Sequence, residues 1–133
     1  MNKKLQSAIE FLILVGAVLF IFVLFLGLFQ QNIGEKTKEK RNYVMTELAL
    51  SVQNEISLAS EASNGYQRQF QIPQNILGLD YEINITSGLV YVRTKDKEHS
   101  LALPVQNITG DLNITHNTIK KLNGIVYLNT NPP

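Results

Sequence analysis

The sequence contains no cysteine, which excludes disulfides, a thiolate nucleophile and cysteine-bound metal sites. It contains only two histidines, His99 and His116, and neither has a second histidine or a carboxylate at metal-ligand spacing. No glycine-rich phosphate loop or serine-nucleophile motif is present. We therefore expect a protein that is not an enzyme and needs no cofactor or metal. We expect both histidines to lie in solvated loops.

The net charge of the chain is small, and one long stretch carries no charge at all. The formal net charge of the 133 residues is +1, which gives no reason to expect a nucleic-acid partner. The nineteen residues 11–29 carry no charge at all. In a helix that rises ~1.5 Å per residue they cover ~28 Å, close to the ~30 Å hydrocarbon core of a bilayer. This segment is predicted to span a membrane.

The residues at the two ends of the apolar run indicate how it is processed and where a charge stands next to it. A cleavable secretory signal has an apolar run of ~7–15 residues followed by small residues. This run is longer and ends in Leu28-Phe29-Gln30-Gln31, so we expect no cleavage after it. Glu10 stands just before the run, and a carboxylate at the centre of an inserted helix costs about 2.5–3.5 kcal/mol. Glu10 therefore either lies at the membrane surface without a function or has a specific role.

The residues around Glu10 carry a family resemblance. Before the uncharged run stand, in register, Lys3-Lys4, Gln6, Glu10 and Phe11. This order resembles the class III signal peptide of archaeal type IV pilins. The resemblance implies that a membrane-embedded prepilin peptidase cuts between Leu5 and Gln6, although Leu5 stands where the family usually has a small residue. It also implies that Glu10 neutralises the freed amino group of Gln6, on its own or an adjacent subunit, during assembly.

A helix is predicted to continue well past the apolar run. Residues 30–63 contain no proline, and their only glycine is Gly34. Apolar residues recur there at spacings of three and four and form one stripe: Met45, Leu48, Val52, Ile56 and Ala59. Because the rest of this helix is polar, the stripe needs a partner that covers it.

After Asn64-Gly65 the apolar period changes from 3.6 to 2, which indicates strands. Hairpins are expected around Ser87-Gly88 and Asn123-Gly124. The pattern predicts an antiparallel meander of about five to seven short strands, with one face covered by the helical stripe. The predicted fold class is therefore α+β, a long N-terminal helix packed on a small antiparallel sheet. The pilin resemblance implies the same architecture.

These features divide the chain into four predicted segments. They are a cleaved leader at residues 1–5, a hydrophobic transmembrane and assembly helix at 6–34, its amphipathic continuation at 35–63 and an extracytoplasmic antiparallel β-domain at 64–133. Charge counting gives no clear orientation, because the four basic residues within 35–41 outnumber Lys3 and Lys4. We place the N-terminus in the cytoplasm because of the signal resemblance and the sequons described next.

Three N-glycosylation sequons begin at Asn84, Asn107 and Asn113, and each reads Asn-Ile-Thr. In each one we expect the isoleucine on the apolar face of a strand and the asparagine and threonine on the polar face. The asparagines could then carry glycan in an extracytoplasmic domain. The alternative is that the triplet only satisfies the alternation of a strand.

The pilin resemblance implies a structural role. The chain would be a major or minor subunit of an archaeal type IV pilus-like surface filament. It would be a single-pass membrane protein first, and the pilus assembly machinery would then assemble it with copies or other pilin subunits through its apolar helix. One alternative is a non-polymerising single-span anchor that displays a β-domain for adhesion or interaction. Another is an archaellin, although archaellins typically begin the apolar helix with a Gly-Ile-Gly-Thr-like sequence and lack the glutamate.

Overall fold

The computed structural model describes residues 3–131, so the first two residues of the predicted leader and the last two of the sequence lie outside it. Within those residues the protein is α+β, because one helix, α1 (Lys3–Glu61), is followed by seven strands. This confirms the prediction of a long N-terminal helix ahead of a small β-domain. The chain divides into two compact units, Met1–Glu39 and Lys40–Pro133, and each is described by itself.

The first unit consists of the first part of α1. Proline is absent from it, and neither Gly16 nor Gly27 interrupts the helix. Every residue from 3 to 36 whose exposure is described is exposed, including the whole apolar run. Phe25 and Phe29, four residues apart on one face, stack with ring centroids 6.0 Å apart. This unit therefore has no apolar core of its own.

In the second unit the rest of α1 buries its apolar stripe, as predicted. Met45 and Leu48 are at most 5% exposed, and Val52, Ile56 and Ala59 are fully buried. Fully burying an aliphatic side chain contributes about 1.5–3 kcal/mol, so the stripe is a main source of stability for this unit. The other side of the core comes from strand residues that point inward: Phe70, Ile83, Val90, Val92, Ile119, Val126 and Leu128.

The strands form two sheets. They are β1 (Gln67–Gln71), β2 (Tyr81–Thr86), β3 (Leu89–Thr94), β4 (Ser100–Pro104), β5 (Thr109–Gly110), β6 (His116–Leu122) and β7 (Ile125–Leu128). A three-stranded antiparallel sheet has the order β2-β3-β4, and a four-stranded sheet has the order β1-β6-β7-β5. The prediction of a single antiparallel meander is wrong, because β1 pairs with the distant β6 and β5 lies parallel to β7.

Both predicted hairpins are confirmed. Ser87 and Gly88 connect β2 to β3 with φ values of 54° and 74°, and Asn123 and Gly124 connect β6 to β7 with 50° and 80°. Positive φ at both central residues is the type I′ geometry, whose twist matches that of the flanking strands. These two turns fix the register of the strand pairs that they join.

A lysine from the four-stranded sheet closes the end of the helix. Lys121 Nζ donates hydrogen bonds to the carbonyl oxygens of Ser60, at 2.5 Å, and Ala62, at 2.8 Å. The last carbonyls of a helix have no partner within the helix, and a cation there also favours the helix dipole. Lys121 therefore joins the helix terminus to β6 with a charge-assisted contact.

Tyr81 should make the stability of the second unit fall at high pH. Its ring is 1% exposed, its hydroxyl donates to the Pro73 carbonyl, and burial raises its pKa from 10.0 to about 12. The folded state thus holds the phenol proton more tightly than the unfolded chain does. Stability is full below pH ~10 and falls as the pH rises toward ~12, by about 2–3 kcal/mol in total.

Denaturant titrations of wild type and two variants between pH 8 and pH 12 measure this effect. Tyr81→Phe should be less stable at pH 8 but should lose the part of the pH dependence that comes from this phenol. Tyr91→Phe is the matched control, since Tyr91 is 37% exposed, and it should keep the wild-type slope. Equal slopes in wild type and Tyr81→Phe would contradict the assignment.

Candidate functional site

The structure brings together two of the three residues predicted to act in processing and assembly. Leu5, Gln6 and Glu10 all lie on exposed turns near the start of α1. Gln6 and Glu10 are four residues apart and share one helix face, where Gln6 Nε2 donates to Glu10 Oε1 at 3.3 Å. The side-chain amide of Gln6 therefore holds the carboxylate next to residue 6. The backbone nitrogen of Gln6 is part of a peptide bond.

Glu10 stands at the start of the apolar run. Its neighbours in sequence, Ile9 and Phe11, are 52% and 68% exposed, and its own helix face also carries Gln6. Within residues 3–131 Gln6 is its only hydrogen-bond partner. A neutral amide offsets little of the cost of placing a carboxylate in an apolar medium, whereas a nearby cation offsets much more. A cation near Gln6 would therefore stabilise the Glu10 carboxylate more than the Gln6 amide does.

The apolar run that follows is exposed on all sides. An 18-residue window of α1 has a mean hydropathy of 3.1, and none of it is buried within the described chain. By length and composition this helix could cross a membrane. A continuous apolar surface of this size marks a site that contacts lipid or other apolar protein surfaces and not water.

All three sequon asparagines have exposed side chains, but the predicted phase holds in only two of the triplets. Beside Asn84 and Asn107 the isoleucine is half-buried and the threonine is exposed, as predicted. In the third triplet the prediction is wrong, because Ile114 is 43% exposed and Thr115 is half-buried. The physical reason is that residues 113–115 precede β6 and Thr115 has a positive φ of 89°, which breaks the alternation of extended backbone there.

The two histidines differ in environment. His116 is exposed in β6, and its Nε2 lies 3.0 Å from the Gln71 side-chain nitrogen. His99 is only 7% exposed, so the prediction of a solvated loop is wrong for it. Among residues 3–131 its Nε2 has no hydrogen-bond partner. No group of three or more metal-ligating side chains is found in the same range.

The turn before His99 explains its burial. The Thr94 hydroxyl donates to Asp96 Oδ1 at 2.6 Å and accepts from the His99 backbone N–H at 3.2 Å. The hydrogen bond from Thr94 is the main cause that holds the pKa of Asp96 below its ordinary value. These bonds fold the charged turn back over Thr94, which is fully buried, and direct His99 inward.

A second candidate site, which the sequence analysis did not identify, lies on the outer face of the four-stranded sheet. It is a groove of about 440 Å³, within the usual range for ligand sites. We call it the amide groove, and it is lined by Gln67, Gln69, Asn113, Thr118, Lys120, Asn129, Thr130 and Asn131. The alternating glutamines of β1 can be read from the sequence as a polar strand face. The pairing of β1 with β6, which completes the groove, cannot be read from it.

No protein-family model matches this chain, and no curated protein or solved structure matches it at a significant level. Its class therefore rests on its own geometry. It is an α+β protein in which a single N-terminal helix, long and apolar enough to cross a membrane, precedes a β-domain built on two small sheets.

Proposed function

We propose that this protein is a structural subunit, major or minor, of an archaeal type IV pilus-like surface filament. The observation that carries the proposal is the first unit, where an apolar helix is exposed on every side and has the carboxylate of Glu10 at its start. Lipid covers this surface before assembly, and helices of neighbouring subunits cover it in the filament. The burial of the helix's second half against two small sheets supports the same architecture.

The chain is inserted with its N-terminus in the cytoplasm and its β-domain outside. A prepilin peptidase then cuts between Leu5 and Gln6. The side chains on both sides of this bond are exposed, and Leu5 is 59% exposed, which supports access by the peptidase. The exposed asparagines of the three sequons are compatible with glycan on an extracytoplasmic domain.

Cleavage changes what Glu10 can bind. It frees the α-amino group of Gln6, which becomes an ammonium close to the helix face that carries the carboxylate. In a low-dielectric bundle of helices an ion pair of this kind offsets the cost of both charges. When the ammonium belongs to an adjacent subunit, the pair also sets the axial register between the two helices.

Protein isolated from its native membrane or filament should begin at Gln6. N-terminal sequencing and intact mass spectrometry measure this directly, and the mass also reports any glycan on Asn84, Asn107 or Asn113. The same chain made in a host that lacks a prepilin peptidase is the matched control, and it should keep all of residues 1–5. A mature native protein that begins at residue 1 would contradict the proposal and would favour a non-polymerising membrane anchor.

A further inference from the structure

The amide groove is built by pairing between two strands that are far apart in sequence. Gln67 and Gln69 of β1 lie directly opposite Lys120 and Thr118 of β6, respectively. Successive side chains of a strand point to opposite faces, so these four share the outer face of the sheet. Asn113, Asn129 and Asn131 complete the rim.

Two asparagines, Asn117 and Asn129, order the segments that carry the groove. Asn117 is 2% exposed, its Oδ1 accepts from the Asn113 backbone N–H at 2.8 Å, and its Nδ2 donates to the Asn113 carbonyl at 2.8 Å. Asn129 Nδ2 donates to Asn117 Oδ1 at 2.7 Å and to the Asp111 carbonyl at 2.8 Å. Asn129 Oδ1 accepts from the Thr118 backbone N–H at 2.8 Å. Because this network is satisfied, it orders the groove without a ligand.

Other polar groups in the groove are available to a ligand. The side-chain amides of Gln67 and Gln69 make no hydrogen bond within residues 3–131, and both side chains are exposed. Each amide offers two donors and an acceptor, and the Thr118 hydroxyl offers both. Lys120 Nζ donates to Asn131 Oδ1 at 3.5 Å, and among residues 3–131 no carboxylate lines the groove. The site thus presents neutral groups that both donate and accept, together with one cation.

One end of the groove is less polar. Gln67 and Lys120 also line a hollow of about 120 Å³ whose walls include Tyr66 and Leu122. Tyr66 is partly buried and packs against the hydrophobic core. The amide groove and this hollow share Gln67 and Lys120 as lining residues.

We propose that the amide groove binds carbohydrate, as a segment of an oligosaccharide that lies across β1 and β6. Sugar hydroxyls both donate and accept, which matches the amides of Gln67 and Gln69 and the Thr118 hydroxyl. Since no carboxylate of residues 3–131 lines it, the groove accepts neutral sugars and, through Lys120, acidic sugars. This inference holds whether or not the chain polymerises, so its failure and the failure of the proposed filament role are separate results.

The carbohydrate could come from two sources. It could be the glycan of this chain, because the sequon residue Asn113 lies on the rim of the groove. It could also be a polysaccharide outside the protein. The chemistry of recognition is the same in both cases, and the experiment needs protein with and without its own glycan.

The test uses the full chain made in bacteria, where no glycan is attached, in phosphatidylcholine nanodiscs. Detergents with sugar headgroups are avoided because they would compete. The probes are maltohexaose, mannohexaose, chitohexaose and hexagalacturonate, and saturation-transfer NMR reads their contact with the protein against empty nanodiscs. At least one probe should receive saturation from the protein. Transfer to none of the four above the empty-disc level would overturn the proposal.

Variants then place the contact in the groove. The double variant Gln67→Ala/Gln69→Ala should weaken binding at least about fivefold, since each lost hydrogen bond accounts for a factor of roughly two to ten. Gln106→Ala removes an exposed glutamine outside the groove and should bind as wild type does. Near-UV circular dichroism checks that both variants keep the fold. An equal loss in the two variants, or none in the double variant, would overturn the proposal.

Protein from the native source distinguishes the two origins. If the glycan on Asn113 occupies the groove, the native wild type does not bind the added probe and Thr115→Ala, which removes the sequon, restores binding. Thr115 does not line the groove, so this variant should keep the groove intact. If the ligand is an external polysaccharide, native wild type and Thr115→Ala bind the probe equally.

Discussion

Glu10→Leu should abolish incorporation into filaments while leaving the chain in the membrane. The substitution makes the helix more apolar, so insertion becomes easier. Assembly, however, would bury the ammonium of Gln6 without the carboxylate that neutralises it. Removing one partner of a buried pair costs about 3–5 kcal/mol, so the filament fraction should fall more than about a hundredfold. Immunoblots of sheared filaments and of the membrane fraction, with electron microscopy, measure both outcomes.

Two further variants separate charge from shape. Glu10→Gln keeps the size of the side chain and its hydrogen bond with Gln6, but it cannot neutralise an ammonium, so it should also fail to assemble. Glu35→Gln removes an exposed carboxylate of the same helix beyond the apolar run, and filaments should form at the wild-type level. Wild-type filaments from Glu10→Leu would refute the register role of Glu10.

Features that depend on near neighbours in sequence were predictable. The apolar stripe that contains Val52 and Ile56 follows from helical spacing alone, and both residues are fully buried. The hairpins at Ser87-Gly88 and Asn123-Gly124 follow from the need for positive φ at two adjacent turn residues. In each case the relevant contacts lie within a few residues, and local propensity and the final structure agree.

Features that depend on distant pairing were not predictable. Gln67 pairs with Lys120, more than fifty residues further along the chain, and nothing in either segment specifies the other. The parallel pairing of β5 with β7 was also missed, because a two-residue strand has no readable alternation. The sheet order, and with it the amide groove, follows from these long-range contacts.

Single residues can also be misread when backbone hydrogen bonding overrides composition. His99 follows a run of charged residues, which favoured an exposed loop, yet the bonds from Thr94 turn it into the core. Ile114 was assigned to an apolar strand face, yet the Asn117 side chain holds the backbone before it outside any strand. Glu10 and Gln6 were identified from motif order, and the structure adds that they share a helix face.

Gly110→Ala should destabilise the second unit by at least about 3 kcal/mol. Gly110 has a φ of 111° and pairs with Leu128 where β5 meets β7. A Cβ at this position would lie 1.9 Å from the Leu128 carbonyl oxygen, and the obstacle is backbone, which cannot rotate away. The positive φ alone costs an alanine roughly 1–3 kcal/mol of backbone strain. The clash adds a second cost, because β5 must move away from β7 to make room for the Cβ. Urea unfolding of the full chain, followed by near-UV circular dichroism, measures the loss.

Gly124→Ala is the matched control, because it has the strain without the clash. Its φ is 80°, and a Cβ there would meet no atom within 4 Å. This variant should lose only about 1–2 kcal/mol from the positive φ. The difference between the two variants isolates the close approach of β5 to β7 at Gly110, the residue directly after the sequon at Asn107. Equal losses in the two variants would show that backbone strain alone acts at Gly110 and would contradict the close pairing of Gly110 with Leu128.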